Sequence, residues 1–356
     1  MISSDVRHAI ARAVAEEGLE AADPGLRPTG APGQYASSVA FASGEQPLSV
    51  ATRLAARLAD ADGVARADVT GPGFIDVTVT PEALAALPER IVTAGLGCAA
   101  GDALRGVRVG PPPAGDPLAA PSWEKARSAL AAQLTARLAA AAGATVALPG
   151  CSERSVTAPG PSRLADGGDA TVRHSADSAA PAASPPPPET ELARAVAYAG
   201  ADAVRFSLAR MAPERPAVID RQIIARHVLG NPAYAVRYAH ARAASGVRWA
   251  ADSRPISLGR PAVPRHPLAH QAELVLLDAL SWLPERVAIA ARRGRPDEFA
   301  RYLEELAGAT VAALVCPGYP ANNPVPGTDR LALAEAARTG LAAGLGLLGV
   351  GAPDRL

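Results

Sequence analysis

With 356 residues, 49% of them apolar but only 4% aromatic, the chain is long enough for two or three domains whose cores are built from Ala, Leu and Val, a composition that favours helices. Formal net charge is zero, yet residues 1–105 carry 8 Arg against 13 acids while residues 191–265 carry 12 Arg against 5, so only the later segment has the charge of a polyanion-binding surface. Cys98, Cys151 and Cys316 are odd in number and form no C-x-x-C pair, which argues against a disulfide framework or a thiolate zinc site and fits a reducing cytoplasm. Asp5, Arg7 and His8 open the chain without an apolar run, and Gly344, Gly346 and Gly349 interrupt the longest apolar stretch, so neither a signal peptide nor a membrane span is expected.

In chain order, Val6, Ile10, Ala13 and Val14 recur at helical spacing and predict a helix over 4–22, followed by a Pro/Gly loop and a short strand over 35–41. Leu48, Leu54 and Leu58 mark a second helix. Residues 67–69 and 74–80 read as strands joined by a turn at Gly71, Pro72 and Gly73, and Pro81 opens a third helix at its first turn. An α+β domain over 1–105 results. Residues 106–150 contain a strand at 107–109, a helix over 122–142 and a strand at 145–148; such a unit buries too little to stand alone and is expected to lean on a neighbour.

Between 151 and 190 the only large aliphatics are Val156, Leu164 and Val172, with an unbroken proline run from Pro185 to Pro188. That is the composition of a disordered or extended linker. From 191 onward the pattern is helical. Asn231 before Pro232 is a good start for a helix to about Ala250, and helices at about 267–293, 297–315 and 329–348 follow. In the penultimate one Phe299, Leu303, Leu306 and Val311 lie on one side, with Glu304 and Glu305 outward. The fold class is therefore mainly α, with an α+β N-terminal domain and a C-terminal helical bundle.

Chemistry-bearing motifs are scarce. There is no Walker loop, no G-x-G-x-x-G after a strand, and the six histidines have no metal-ligand spacing, so neither cofactor nor metal is expected. Cys151 falls in the linker without a positioned histidine. The informative stretch is Asn231 to Arg242, where Tyr234, Tyr238 and Arg242 stand at i, i+4 and i+8 and share one helix face, while Arg237, His240 and Arg248 point to other sectors.

Three regions resemble arginyl-tRNA synthetases. Asn231 to Arg242, together with Asp202-Ala-Val-Arg205 and the run from Arg301 to Gly308, is similar to the DALR anticodon-binding bundle of that family, of the class I synthetase type, over about 191–356. The resemblance implies that this helix and its neighbours cradle the anticodon arm. Arg237, Tyr238, Arg242 and Arg248 are then the expected tRNA contacts, Tyr234 shapes the helix face and Arg205 is structural. Arginines would neutralise phosphates and stack on splayed bases, and tyrosines would stack or donate hydrogen bonds. The bland alternative is that Tyr238 and His240 are buried bundle residues and Arg242 the partner of an acid such as Asp202. Arg237 stands where the family has glutamine. The tetrapeptide from Asp102 to Arg105 spells the motif again, but its surroundings do not match.

The second region, Gln34 to Phe41 and Gly71 to Asp76, resembles the family's N-terminal additional domain, which touches the tRNA elbow. Phe74 stands where that domain offers an aromatic side chain to a D-loop base; alternatively it is a strand residue in the core. Gln34 and Asp76 depart from the family pattern, and a carboxylate beside RNA is an electrostatic cost. The third region is a remnant of the nucleotide-binding domain: Ser122 to Ser128, with Arg137 and Leu138, overlays the H-V-G-H-L-R-S helix. Ser122 and Lys125 replace both histidines, and Glu124 replaces the glycine that lets ATP approach.

Lys125 is the only lysine in the chain, so no K-M-S-K-S loop exists, and the roughly 85 residues between the two matched flanks fall far short of the family's catalytic domain. The resemblance thus implies a non-catalytic relative that lacks the class I core, with tRNA, arginine tRNA first, as partner and no membrane. Two rivals are a protein-interaction subunit that docks on the full-length synthetase or another translation factor, and a degenerate ligase that assists aminoacylation in trans.

Overall fold

The apolar spacing at the N-terminus forms α1 (Ile2–Glu16), which buries Val6, Ile10, Ala13 and Val14. It ends sooner than its periodicity suggests because Gly18 turns to φ +69° and the Leu19 N–H bonds the Val14 carbonyl at 3.0 Å, a closure that glycine makes at little cost. The structure, a computed structural model, describes residues 2–20, 23–147, 190–217, 219–252, 268, 270–315 and 328–356. The linker expected over 151–190 lies outside these residues except for Thr190, as does the Pro/Arg-rich stretch 253–267.

β1 (Leu26–Pro28), β2 (Gln34–Ser37), α2 (Pro47–Ala59), β3 (Val64–Thr70) and β4 (Phe74–Val79) follow, and the four strands form an antiparallel sheet in the order β1-β2-β4-β3. Alternation along β4 buries Ile75, Val77 and Val79 and leaves Phe74, Asp76 and Thr78 on the opposite, half-exposed face. The strand expected over 35–41 stops at Ser37. There the Ser37 hydroxyl accepts the Val39 N–H at 3.2 Å and donates to the Pro24 carbonyl, tipping the chain into a 3-10 segment at Val39–Ala42. β1 was expected as loop, since Pro28 and the glycines around it hide a strand that pairs only along one edge.

α3 (Pro81–Ala85) starts as expected, with the Thr80 hydroxyl capping it at 3.1 Å, and α4 (Leu87–Ala94) continues it. α4 and the 3-10 turn after it pack on the last helix of the chain, so this part of the sequence belongs structurally with the bundle as much as with the sheet. β5 (Arg108–Val109) and β6 (Thr145–Val146) pair in parallel on either side of α5 (Trp123–Ala141), the expected strand-helix-strand unit. α5 leans on the bundle through Ala126, Leu130, Leu134 and Leu138, all buried.

The bundle comprises α6 (Glu191–Ala199), α7 (Ala201–Arg210), α8 (Arg221–Ile224), α9 (Pro232–Asp252), α10 (Gln271–Ser281), α11 (Leu283–Arg293), α12 (Pro296–Leu314) and α13 (Thr328–Leu348). The single helix expected over 267–293 is two, since Pro284 in the first turn of α11 supplies no N–H to continue the ladder of α10. α12 buries Phe299, Leu303 and Leu306, while Glu304 pairs with Arg210. By length and composition α13 could cross a bilayer, but most of it is buried against α4, α9 and α12. Gly344 of α13 lets that helix close on Leu303 of α12, where a Cβ would have no room.

The sheet domain docks on α10 and α11. Buried Tyr35 donates through its hydroxyl to Ser281 Oγ at 2.8 Å, and its ring lies 5.1 Å from that of Trp282. The Gly33 N–H donates to Asp278 at 3.3 Å, and Arg7 bridges Glu285 at 2.8 Å and Asp102. Burial works against the Asp102 carboxylate, but Arg7 and His8 beside it hold its pKa at about 2. Asp102 of the unmatched Asp-Ala-Leu-Arg repeat is thus a structural node between domains. Replacing Tyr35 with Phe removes the hydroxyl and leaves the packing, which should cost about 1 kcal/mol. Urea denaturation should show a lower midpoint with an unchanged slope; an unchanged midpoint would mean the docking does not depend on this bond.

Candidate nucleic-acid interface

α9 is built to present one face outward. Ala233, Val236, Ala239, Ala243 and Ala244 are buried, and these small side chains let α9 lie close against α12 and α13. The opposite positions Tyr234, Tyr238 and Arg242 remain half-exposed. Asn231 is buried ahead of the helix, and its amide donates to the carbonyls of Ile224 at 2.7 Å and Arg226 at 2.8 Å, drawing the preceding loop back over the helix start.

That loop brings His227 onto Tyr234. Their rings stack with centroids 5.3 Å apart and planes 12° apart, and Tyr234 stacks in turn on Tyr238 at 5.8 Å and 25°. Three rings therefore form a ladder along the outer face, continued by Arg242. Among the described residues Arg242 forms no ion pair, and residues 226–230 are exposed, with Val228 and Leu229 among the large apolar side chains left in solvent. His227 had no signal in the sequence, because it lies outside any periodic segment and reaches the ladder only through the loop closed by Asn231.

The other expected contacts separate. Arg237 turns into the seam between α9 and α7, with one guanidinium nitrogen 3.8 Å from Asp202 Oδ2 and its Nε buried and unpartnered among the described residues. Asp202 thus faces Arg237, and the pairing with Arg242 weighed as the bland alternative does not form. Tyr238 is not buried; His240 is, as that alternative had it. Arg248 is half-exposed two turns after Arg242, next to exposed Trp249.

Phe74 lies off the core, on the outer face of the sheet, with its ring 4.9 Å from that of Phe41. Asp76 shares that face and stands opposite Asp68 in the strand register, while Asp68 is itself paired with Arg66 at 2.6 Å. Ser122 is the N-cap of α5 and accepts the Lys125 N–H at 3.4 Å, while Glu124 and Lys125 are exposed in the first turn. Burial pushes the Cys98 thiol up to about 11, which removes it as a nucleophile near neutral pH, and the described residues contain no cluster of metal-ligating side chains.

The chain after α13 is held by the same helices. Arg205 donates to the Gly349 carbonyl at 2.8 Å and Arg137 to the Leu347 carbonyl at 3.2 Å, while Asp202 lies so close to Gly351 that a Cβ there would be 2.9 Å from its carboxylate oxygen. His240 donates from Nδ1 to the Pro353 carbonyl at 3.0 Å. Burial lowers the His240 pKa below the ordinary histidine value, against the opposing pull of Pro353 and Asp354. Above about pH 6.5 the ring is neutral whether folded or unfolded; below it the unfolded chain takes up the proton first. Stability should therefore fall as pH drops from about 6.5, and a His240→Gln variant should lack that component. Thermal melts between about pH 5 and 7.5 check this, and parallel profiles for the two proteins would refute it.

Comparison with known proteins matches the description "Arginyl tRNA synthetase N terminal domain" to residues 1–79 and "DALR anticodon binding domain" to residues 236–356. Similar curated proteins include the arginine–tRNA ligase of Paenarthrobacter aurescens, 38% identical over 172 residues that cover 47% of this chain and 30% of that protein. The arginine–tRNA ligase of Frankia alni is 39% identical over 166 residues, covering 44% and 29%. Each alignment thus spans less than a third of the ligase. The Thermus thermophilus arginyl-tRNA synthetase structure superposes with a TM-score of 0.63 over 99% of both chains at 17% identity, a likeness of fold. The chain carries an arginyl-tRNA synthetase N-terminal domain and a DALR anticodon-binding domain, and its relatives are arginine–tRNA ligases.

Proposed function

We propose that this chain is a non-catalytic tRNA-binding protein, which holds the anticodon arm on the outer face of α9. The observation that carries the reading is the ladder of His227, Tyr234 and Tyr238 ending at Arg242, which forms no ion pair among the described residues; the ladder runs into the matched DALR anticodon-binding domain, which begins at residue 236. Aromatic rings stack on any exposed base at about 1–3 kcal/mol each, and an arginine without a carboxylate partner is available to a phosphate. Arg248 extends the cationic side, whereas Arg237 is committed to the α7–α9 seam and acts by holding α9 in place. Phe74 has Asp76 beside it and its domain carries more acid than arginine, so the sheet domain contributes less.

The absence of catalysis rests on the interior of the chain. Class I activation needs basic groups on a mobile loop to stabilise charge on the transferring phosphates, and the only lysine, Lys125, lies in the first turn of α5 beside Glu124. Ser122, where the resemblance places the first signature histidine, is occupied as a helix cap.

Titration of arginine tRNA and of a mismatched tRNA, each at two salt concentrations, tests the binding. Micromolar or tighter binding that weakens with salt is expected. Tyr238→Ala should lose about 1–3 kcal/mol, and Arg242→Ala should lower the salt slope by roughly one phosphate contact. If neither tRNA binds at micromolar protein, the proposal fails. Arginine-dependent ATP–pyrophosphate exchange should stay at background, and turnover above it would overturn the non-catalytic part.

A further inference from the structure

Tyr198 closes α6 with 60% of its surface exposed, and the guanidinium carbon of Arg221 on α8 lies 5.8 Å from its ring centroid. The arginine over it holds the ring without hiding it. Ile223 on the same short helix is 52% exposed. Arg194, one turn before Tyr198 on α6, is exposed on the same side. Neither Arg194 nor Arg221 forms an ion pair among the described residues, although Glu191 stands one turn before Arg194; the acid beside Arg221, Asp220, is occupied in capping α8 through the Gln222 and Ile223 N–H groups. α8 packs on α6 and α7 and leads directly through the exposed loop to His227, the first ring of the ladder.

We infer that Tyr198 and Arg221 form a second stacking station, which takes an unpaired nucleobase of the RNA loop whose neighbouring base lies on the ladder. This rests on the proposed tRNA binding and adds to it the residues that hold a second base. An exposed ring face accepts any base, the two arginines neutralise the phosphates on either side, and Ile223 excludes water from the edge of the stack. The strong excess of arginine over acid in residues 191–265 favours a polyanion over a protein partner.

The test uses the full chain and two labelled RNAs, a stem-loop with an unpaired loop and a fully paired duplex carrying the same number of phosphates. Tyr198→Ala should weaken stem-loop binding by about 5- to 150-fold and leave duplex binding unchanged, because only an unpaired base offers a face. Tyr198→Phe should bind as the unaltered chain does. Equal weakening of both RNAs, or no weakening, overturns the station, as does a Phe variant as weak as the Ala variant. If the stem-loop binds and Tyr238→Ala weakens it while Tyr198→Ala does not, the tRNA reading stands and the station alone falls. If the unaltered chain binds neither RNA, both fall.

Discussion

The architecture depends on how the C-terminal end of α13 is satisfied. Its last carbonyls carry the negative end of the dipole; Arg137 from α5 reaches the Leu347 carbonyl in the last turn, and Arg205 from α7 reaches the Gly349 carbonyl just beyond it. Burial and the nearby Arg205 lower the Arg137 pKa, and the carbonyls, with Asp116 3.6 Å from Arg205, compensate two cations brought together. Gly349 makes the approach possible: its φ is +68°, and a Cβ there would stand 2.8 Å from Arg137. This junction joins the strand-helix-strand unit, the Asp202 to Arg205 motif and the end of the chain. It also explains why a unit too small to fold alone is ordered here.

The candidate interface follows from that junction. The segment leaving α13 runs past Asp202 to His240, so α9 is held by its buried side while alanines seat it against α12 and α13. The half-exposed face is then rigid, and its rings are already stacked before any ligand arrives, so little side-chain entropy remains to be lost on binding. Charge is divided in the same way. Arg205, Arg137 and Arg237 are engaged within the fold, whereas Arg242, Arg194 and Arg221 form no ion pair among the described residues.

At the other end of the molecule, the sheet domain is joined to the bundle by a mixture of packing and buried polar contacts around Tyr35, Trp282 and Arg7. Arg7 shares itself between Glu285 and Asp102, and an arginine removed from there would leave the buried Glu285 without its ion-pair partner among the described residues, while Asp102 keeps His8 and Arg105. Residues 1–105 carry 8 Arg against 13 acids, whereas residues 191–265 carry 12 Arg against 5. The two domains therefore have opposite electrostatic character although they share one core.

Helix positions were legible in the sequence because they rest on local periodicity and on starts such as Thr80-Pro81 and Asn231-Pro232, which act within one turn. The shared face of Tyr234, Tyr238 and Arg242 followed from helical spacing for the same reason. The short strand β1, the early end of β2 and the break before α11 were not legible, since each is decided by a hydrogen bond or a proline acting against an otherwise continuous pattern. Nor was the fate of the arginines. By itself the sequence determined how many cations there are and on which helix each stands. Only the tertiary structure decided which are consumed, because the partners of Arg205 and Arg137 lie 144 and 210 residues away and become neighbours only when α13 ends beside α5 and α7.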